Sequence, residues 1–198
     1  MARLPYASPA QLQHTLRQSP FPEDTPAGNV FRMLAQAPPV GGAALGLIYS
    51  LLSETELDPK VREIVILRVA ERSAARYAFA QHSAIAASVG VNDDQISSLE
   101  QGLVPHALFG QHESTAIELA DEAVHKAQVS DATFIRARRQ FPPREIVELL
   151  LLIGCFRMMC RVVTITELEP EPSFGVDTLR RAQMSHTARP TQPGRTLP

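Results

Sequence analysis

Leu57-Asp-Pro-Lys-Val-Arg-Glu-Ile-Val-Ile-Leu-Arg-Val-Ala-Glu-Arg-Ser-Ala-Ala-Arg-Tyr-Ala-Phe-Ala-Gln-His82 is the stretch from which the fold of this chain is read. Asp58 followed by Pro59 is a helix start, because an aspartate accepts from the first free amides and a proline at the first position gives up an amide that no carbonyl needs. The spacing predicts a helix to about Arg72 and a second from Ala75 to Val89, closed by Gly90 as a left-handed cap. Two antiparallel helices joined by a short turn follow. On their faces Glu63 falls with Ile66, Leu67, Ala70 and Ala74, and His82 falls with Ala75, Ala78, Phe79, Ala86 and Val89. An acid and an imidazole on apolar faces are not there for solubility, and together they suit the movement of protons.

Outward from this pair the chain keeps a helical period, without alternation of period two or an Asn-Gly or Asp-Gly hairpin signal. The fold class read from the pattern is all-α. Helices are predicted over Pro9 to Gln18 and Asn29 to Ala37. After a break at Pro38-Pro-Val-Gly-Gly42 a third runs from Ala43 to Ser53. Asn92, His112 and Ser130 open further helices that end near Gly102, Ala127 and Gln140. Pro142-Pro143 starts a long, mostly apolar helix reaching about Glu167, which suits a central or interfacial position. Gly41, Gly42 and Gly46 lack the lysine and hydroxyl of a phosphate loop and are read as close helix packing. A single domain is expected over 1–169. Residues 170–198, poor in large apolar groups, are expected to be a disordered or subunit-swapped tail.

With 198 residues, 44% of them hydrophobic, the chain builds one ordinary core. A net charge of -2 provides no basic field for nucleic acid. The apolar run Ile146 to Cys155 contains Glu148 and is shorter than the roughly 20 residues that span a bilayer. No secretory leader pattern opens the sequence, so a cytoplasmic protein is the expectation. Cys155 and Cys160 point to different sides of one helix and are read as reduced core residues. His106 and His112 match no common metal-ligand spacing, and no metal site is expected.

Near the two-helix junction, Arg68, Arg72 and Arg76 can hold a substrate carboxylate, with Glu71 competing for them. Tyr77 can donate to a developing oxyanion. Arg157, midway along the apolar helix, needs a carboxylate, an interface or a pocket, and Glu148 and Glu63 are the expected partners.

Arg62-Glu-x-x-x-Leu67-Arg-Val-Ala, Tyr77-x-x-Ala-Gln-His82, Ala86-x-x-x-Gly90-Val and Asn92-Asp-Asp-x-Ile96 together resemble the signature region of the carboxymuconolactone decarboxylase and alkyl hydroperoxidase D-like family. The helix from Arg144 to Val162 resembles the one that closes the family's domain. The resemblance implies an AhpD-like helical fold and a homo-oligomer, whether dimer, trimer or hexamer. Redox members carry a Cys-x-x-Cys pair whose positions fall here on Ala75 and Ala78, while the family's glutamate and histidine fall on Glu63 and His82. Thiol peroxidase activity is therefore not expected, since alanine replaces no thiolate.

Decarboxylase members use the fold without that pair and without a cofactor. By that resemblance the chain is expected to be a cofactor-independent lyase or isomerase acting on a small carbonyl acid, lactone or polyketide-like metabolite. His82 is the expected general acid/base and Glu63 its orienting partner or relay. Tyr77 is the expected donor to an enolate, and Arg72, Arg76 and Arg68 are expected to bind the substrate anion. Dehydratase or cyclase chemistry shares these first steps. The competing expectation is a non-catalytic oligomeric scaffold, in which Glu63 and His82 pair inside a filled core instead of reaching a cavity of about 300 Å3 or more.

Overall fold

The computed structural model of the chain describes residues 1–26, 28–126, 128–173 and 175–180. These residues form α1 (Pro9–Leu16), α2 (Asn29–Leu34), α3 (Pro38–Ser53), α4 (Pro59–Arg72), α5 (Arg76–Ser88), α6 (Asp93–Glu100), α7 (Gln111–His125), α8 (Asp131–Gln140) and α9 (Pro143–Ile165), and no strand. α4 is the hub. Its residues from Val61 to Ala70 are all buried, and it packs on α5, α6, α7 and α9. A helix enclosed on every side holds polar groups only where each has a partner, so Arg62, Glu63 and Arg68 in this run are the residues to account for.

Local chemistry sets the element ends. Asp58 Oδ1 accepts from the amides of Lys60 at 2.8 Å and Val61 at 3.1 Å, with Pro59 behind it, as the sequence predicts. Ala74, at φ 50°, reverses the chain into α5, which ends before Gly90 at φ 94°, the left-handed position that favours glycine. Asn92 and Gln95 form a reciprocal capping box at α6.

α3 begins at Pro38, earlier than the predicted Ala43, because Pro38 and Pro39 fill first-turn positions where no amide hydrogen is required. The glycines then sit inside the helix and allow close approach. A Cβ on Gly41 would lie 2.2 Å from the Leu34 carbonyl oxygen, and one on Gly42 would lie 2.8 Å from Gln18 Cβ. These two contacts press α3 onto the end of α2 and the residues after α1. Gly41→Ala is expected to cost about 1–3 kcal/mol, read as a lower urea midpoint at unchanged slope.

Two apolar groups share the interior. The main core runs along α4, α5, α7 and α9, while Leu16, Phe21, Phe31, Leu45 and Tyr49 form a smaller cluster under the N-terminal helices. Phe21 is its pivot, edge-on to Phe31 at 5.4 Å and to Tyr49 at 5.2 Å. α9 buries Ile146, Leu149, Leu152, Ile153 and Phe156 and leaves Val147, Leu150, Leu151, Met158 and Ile165 exposed. Arg157 stands half-buried beside this stripe and pairs with neither expected acid. Glu148 is engaged by Arg144 and by the Glu56 amide, and Glu63 by Arg62 and His82.

Residues 170–173 and 175–180, which composition assigns to a tail, lie against the domain. Leu179 is buried, Thr178 Oγ1 donates to the Pro26 carbonyl at 3.3 Å, and the Glu171 carboxylate accepts from the Asn29 amide at 2.9 and 3.0 Å. The rest of the expected tail, 181–198, lies outside the described residues.

Candidate active site

Glu63 and His82 meet across the α4–α5 hairpin. Glu63 is fully buried, and its Oε2 lies 2.9 Å from His82 Nδ1. Its other oxygen, Oε1, accepts from Arg62 Nε at 3.1 Å, and Arg62 is itself only 3% exposed. The arrangement is an Arg–Glu–His chain inside the protein. Attraction from the adjacent guanidinium offsets much of the cost of burying the Glu63 charge. Because a carboxylate only accepts, the imidazole proton is assigned to Nδ1, which leaves Nε2 as a lone-pair acceptor. The ring is held edge-on against Phe156, with centroids 5.0 Å apart.

His82 lines a cavity of about 90 Å3 whose apolar walls include Val30 and Phe31 from α2, Leu45 and Ile48 from α3, and Phe156 and Val163 from α9. The scaffold reading requires a filled core beside His82, and the core there is not filled, yet the space is narrower than the about 300 Å3 expected of a small-molecule site. Ala78, on the second of the two expected cysteine positions, lines it too. Gly175 and Thr178 cover one side, so the returning C-terminal segment is part of the wall.

Tyr77 also lines the cavity, but its hydroxyl is engaged. It donates to the Glu171 carboxylate and accepts from the Val30 amide at 3.3 Å. Burial, with the Glu171 carboxylate beside it, pushes the phenol well above its ordinary range and keeps it protonated. A donor role toward an enolate would require Tyr77 to release Glu171.

None of the three arginines expected to bind substrate lines this cavity. Arg68, 2% exposed, makes a two-point contact with Asp121 at 2.7 and 2.8 Å and also donates to the Gly102 carbonyl at 3.1 Å. Arg72 adds a second hold on Asp121 at 2.9 Å. The expected anion clamp is replaced by a tie between α4 and α7, because a buried guanidinium needs a carboxylate and α7 supplies one. Arg76 is exposed and lines a separate open groove with Glu71 and Glu100.

Desolvation works against the Asp121 charge, but the two guanidiniums outweigh it and hold the carboxyl below its ordinary value. A folded-state value below the unfolded one stabilises above the unfolded pKa and is lost as pH falls through the folded one. Asp121→Asn is therefore expected to cost about 2 kcal/mol near pH 7 and progressively less as the pH falls below the ordinary aspartate range, measured by urea melts across that range.

Cys155 and Cys160 are buried and unbonded to one another, and burial pushes both thiols up to about 11, opposite to the activation a reactive thiol needs. Among the described residues no group of three or more His, Cys, Asp or Glu is placed to hold a metal ion. No helix among them is long and apolar enough to cross a membrane. Three participants carry no site role in the sequence reading. Arg62 stands beside Glu63, Asp121 has no distinguishing motif, and Glu171 falls in the expected tail.

No family model matches the chain, and no curated protein matches it. Solved structures do. An uncharacterized peroxidase-related protein from Ralstonia eutropha JMP134, described as an alkylhydroperoxidase AhpD core, superposes with a TM-score of 0.71 at 16% identity, covering 88% of this chain and 95% of that one. The apo debrominase Bmp8 gives 0.68 at 16% identity, over 91% of this chain and 96% of its own. An uncharacterized peroxidase-related protein from Silicibacter sp. TM1040 gives 0.66 at 19% identity, over 74% of this chain and 78% of its own. With an all-helical order centred on the α4–α5 hairpin, the chain has the AhpD-like fold.

Proposed function

We propose that the protein is an enzyme that moves a proton on a small carbonyl compound, with His82 as general acid/base and no cofactor in the proton step. The observation that carries this is the 2.9 Å contact between His82 Nδ1 and the buried Glu63 carboxylate at the wall of an apolar cavity. His82 Nε2 takes a proton from the substrate, and the imidazolium that forms is stabilised by Glu63. Return of the same proton to another substrate atom gives isomerisation, and its placement on a carbanion after loss of carbon dioxide gives a lyase. The described residues of the wall include no charged side chain, which favours isomerisation of a neutral lactone or ketone over decarboxylation of a free acid. A protein of the same fold, the debrominase Bmp8, holds 2,3,4-tribromopyrrole, a small ring, in a crystal structure.

The same reading includes a cytoplasmic setting and a homo-oligomer in which a second copy covers the exposed stripe of α9. The test is deletion of the gene in its host, metabolite comparison by mass spectrometry, and rescue with wild type and His82→Gln. A compound that accumulates and is cleared only by wild type supports the proposal. Equal rescue by His82→Gln overturns it in favour of the scaffold.

A further inference from the structure

Resting on this reading of the site, the geometry points to a substrate class: an uncharged, largely apolar ring bearing an O–H or N–H donor, with Gln81 as the residue that selects for the donor. The inference follows from the hydrogen-bonding state of each polar group in the cavity wall. Tyr77 has given its only proton to Glu171, and Thr178 has given its own to Pro26. His82 presents Nε2 as an acceptor, since its Nδ1 proton faces Glu63. Gln81 is 93% buried, with 7% of its surface exposed. Its Nε2 donates to the Glu171 carbonyl at 3.2 Å, which fixes the orientation of the amide, and its Oε1 is buried without a partner.

Gln81 Oε1 and His82 Nε2 are therefore both acceptors, on consecutive residues of α5, and the described residues of the wall include no charged side chain. A carboxylate would bring a third acceptor and an unpaired charge into this space, whereas an O–H or N–H satisfies an oxygen that now lacks any bond. Volume narrows the class further. A cavity of about 90 Å3 is smaller than the roughly 150 Å3 engineered cavity that accepts benzene, so a five-membered ring is the appropriate probe.

Pyrrole and furan have nearly the same shape and differ in the donor. We would titrate each, and pyrrole-2-carboxylate, into the full chain and follow backbone amide shifts of α5 by NMR. Pyrrole is expected to bind wild type about three- to tenfold more tightly than furan, the range of one hydrogen bond. In Gln81→Met the ratio is expected to fall toward one, with furan changed less than twofold. Equal binding of pyrrole and furan to wild type, tighter binding of the carboxylate, or an unchanged ratio in a folded Gln81→Met overturns the assignment. If that variant does not fold, the wild-type ratio decides. The outcome is separable from the proton-transfer reading: rescue by His82→Gln would remove the catalytic role and leave the binding ratio standing, while equal ratios would remove the donor selectivity and leave His82 intact.

Discussion

Glu63→Ala is expected to destabilise the fold by about 3–5 kcal/mol, the largest stability loss of any single substitution considered for this chain. Little of this comes from the four side-chain atoms lost to packing. Arg62 is 3% exposed, its Nε donates to Glu63, and its Nη2 already has no partner. Removing the carboxylate leaves a guanidinium in the core with no counter-charge and frees His82 Nδ1 at the same time. For a chain of this length each kcal/mol moves the melting temperature by about 2–4 °C, so thermal unfolding should fall by roughly 6–20 °C. The double variant Arg62→Met with Glu63→Met removes both charges and should recover much of that loss, since a buried pair replaced by apolar groups is often neutral. A Glu63→Ala protein that melts with wild type would show that water or movement already solvates Arg62, and the Arg–Glu–His chain would lose its structural basis.

The same contrast explains what was legible in the sequence. Helix starts at Asp58, Asn92 and Ser130 were readable because capping is local: a side-chain oxygen meets amides two or three residues ahead. The pairing of Glu63 with His82 was readable because each marks an otherwise apolar helical face, and two such faces on a hairpin have to meet. The role of Arg62 was hidden, since its neighbour in the sequence is its partner and nothing in the spacing shows that both are enclosed. Arg68 and Arg72 read from the sequence as free anion binders for a related reason. Their partner Asp121 lies 53 and 49 residues away on α7, one acid among several on an amphipathic helix. The wall built by Gly175 and Thr178 was out of reach because composition reports what a segment lacks, and a few small contacts such as Thr178 on Pro26 hold it in place.

His82→Gln should lower turnover of the compound cleared by the wild type about 100- to 10,000-fold, the range of a lost general acid/base. Glutamine keeps a side chain that can hydrogen-bond toward Glu63 but cannot take a proton, so folding should be affected far less than by Glu63→Ala. Glu63→Gln probes the same step from behind. It leaves the imidazole in place while removing the negative charge that stabilises the imidazolium, and its amide can reverse and hold the ring in the wrong tautomer. If the two residues act as one unit, the double variant should be no slower than His82→Gln alone, because the second change removes a partner from a group already gone. Additive losses would mean that Glu63 acts on the substrate or the fold independently of His82. The 2.9 Å contact would then be a packing feature of the α4–α5 hairpin and not the proton path.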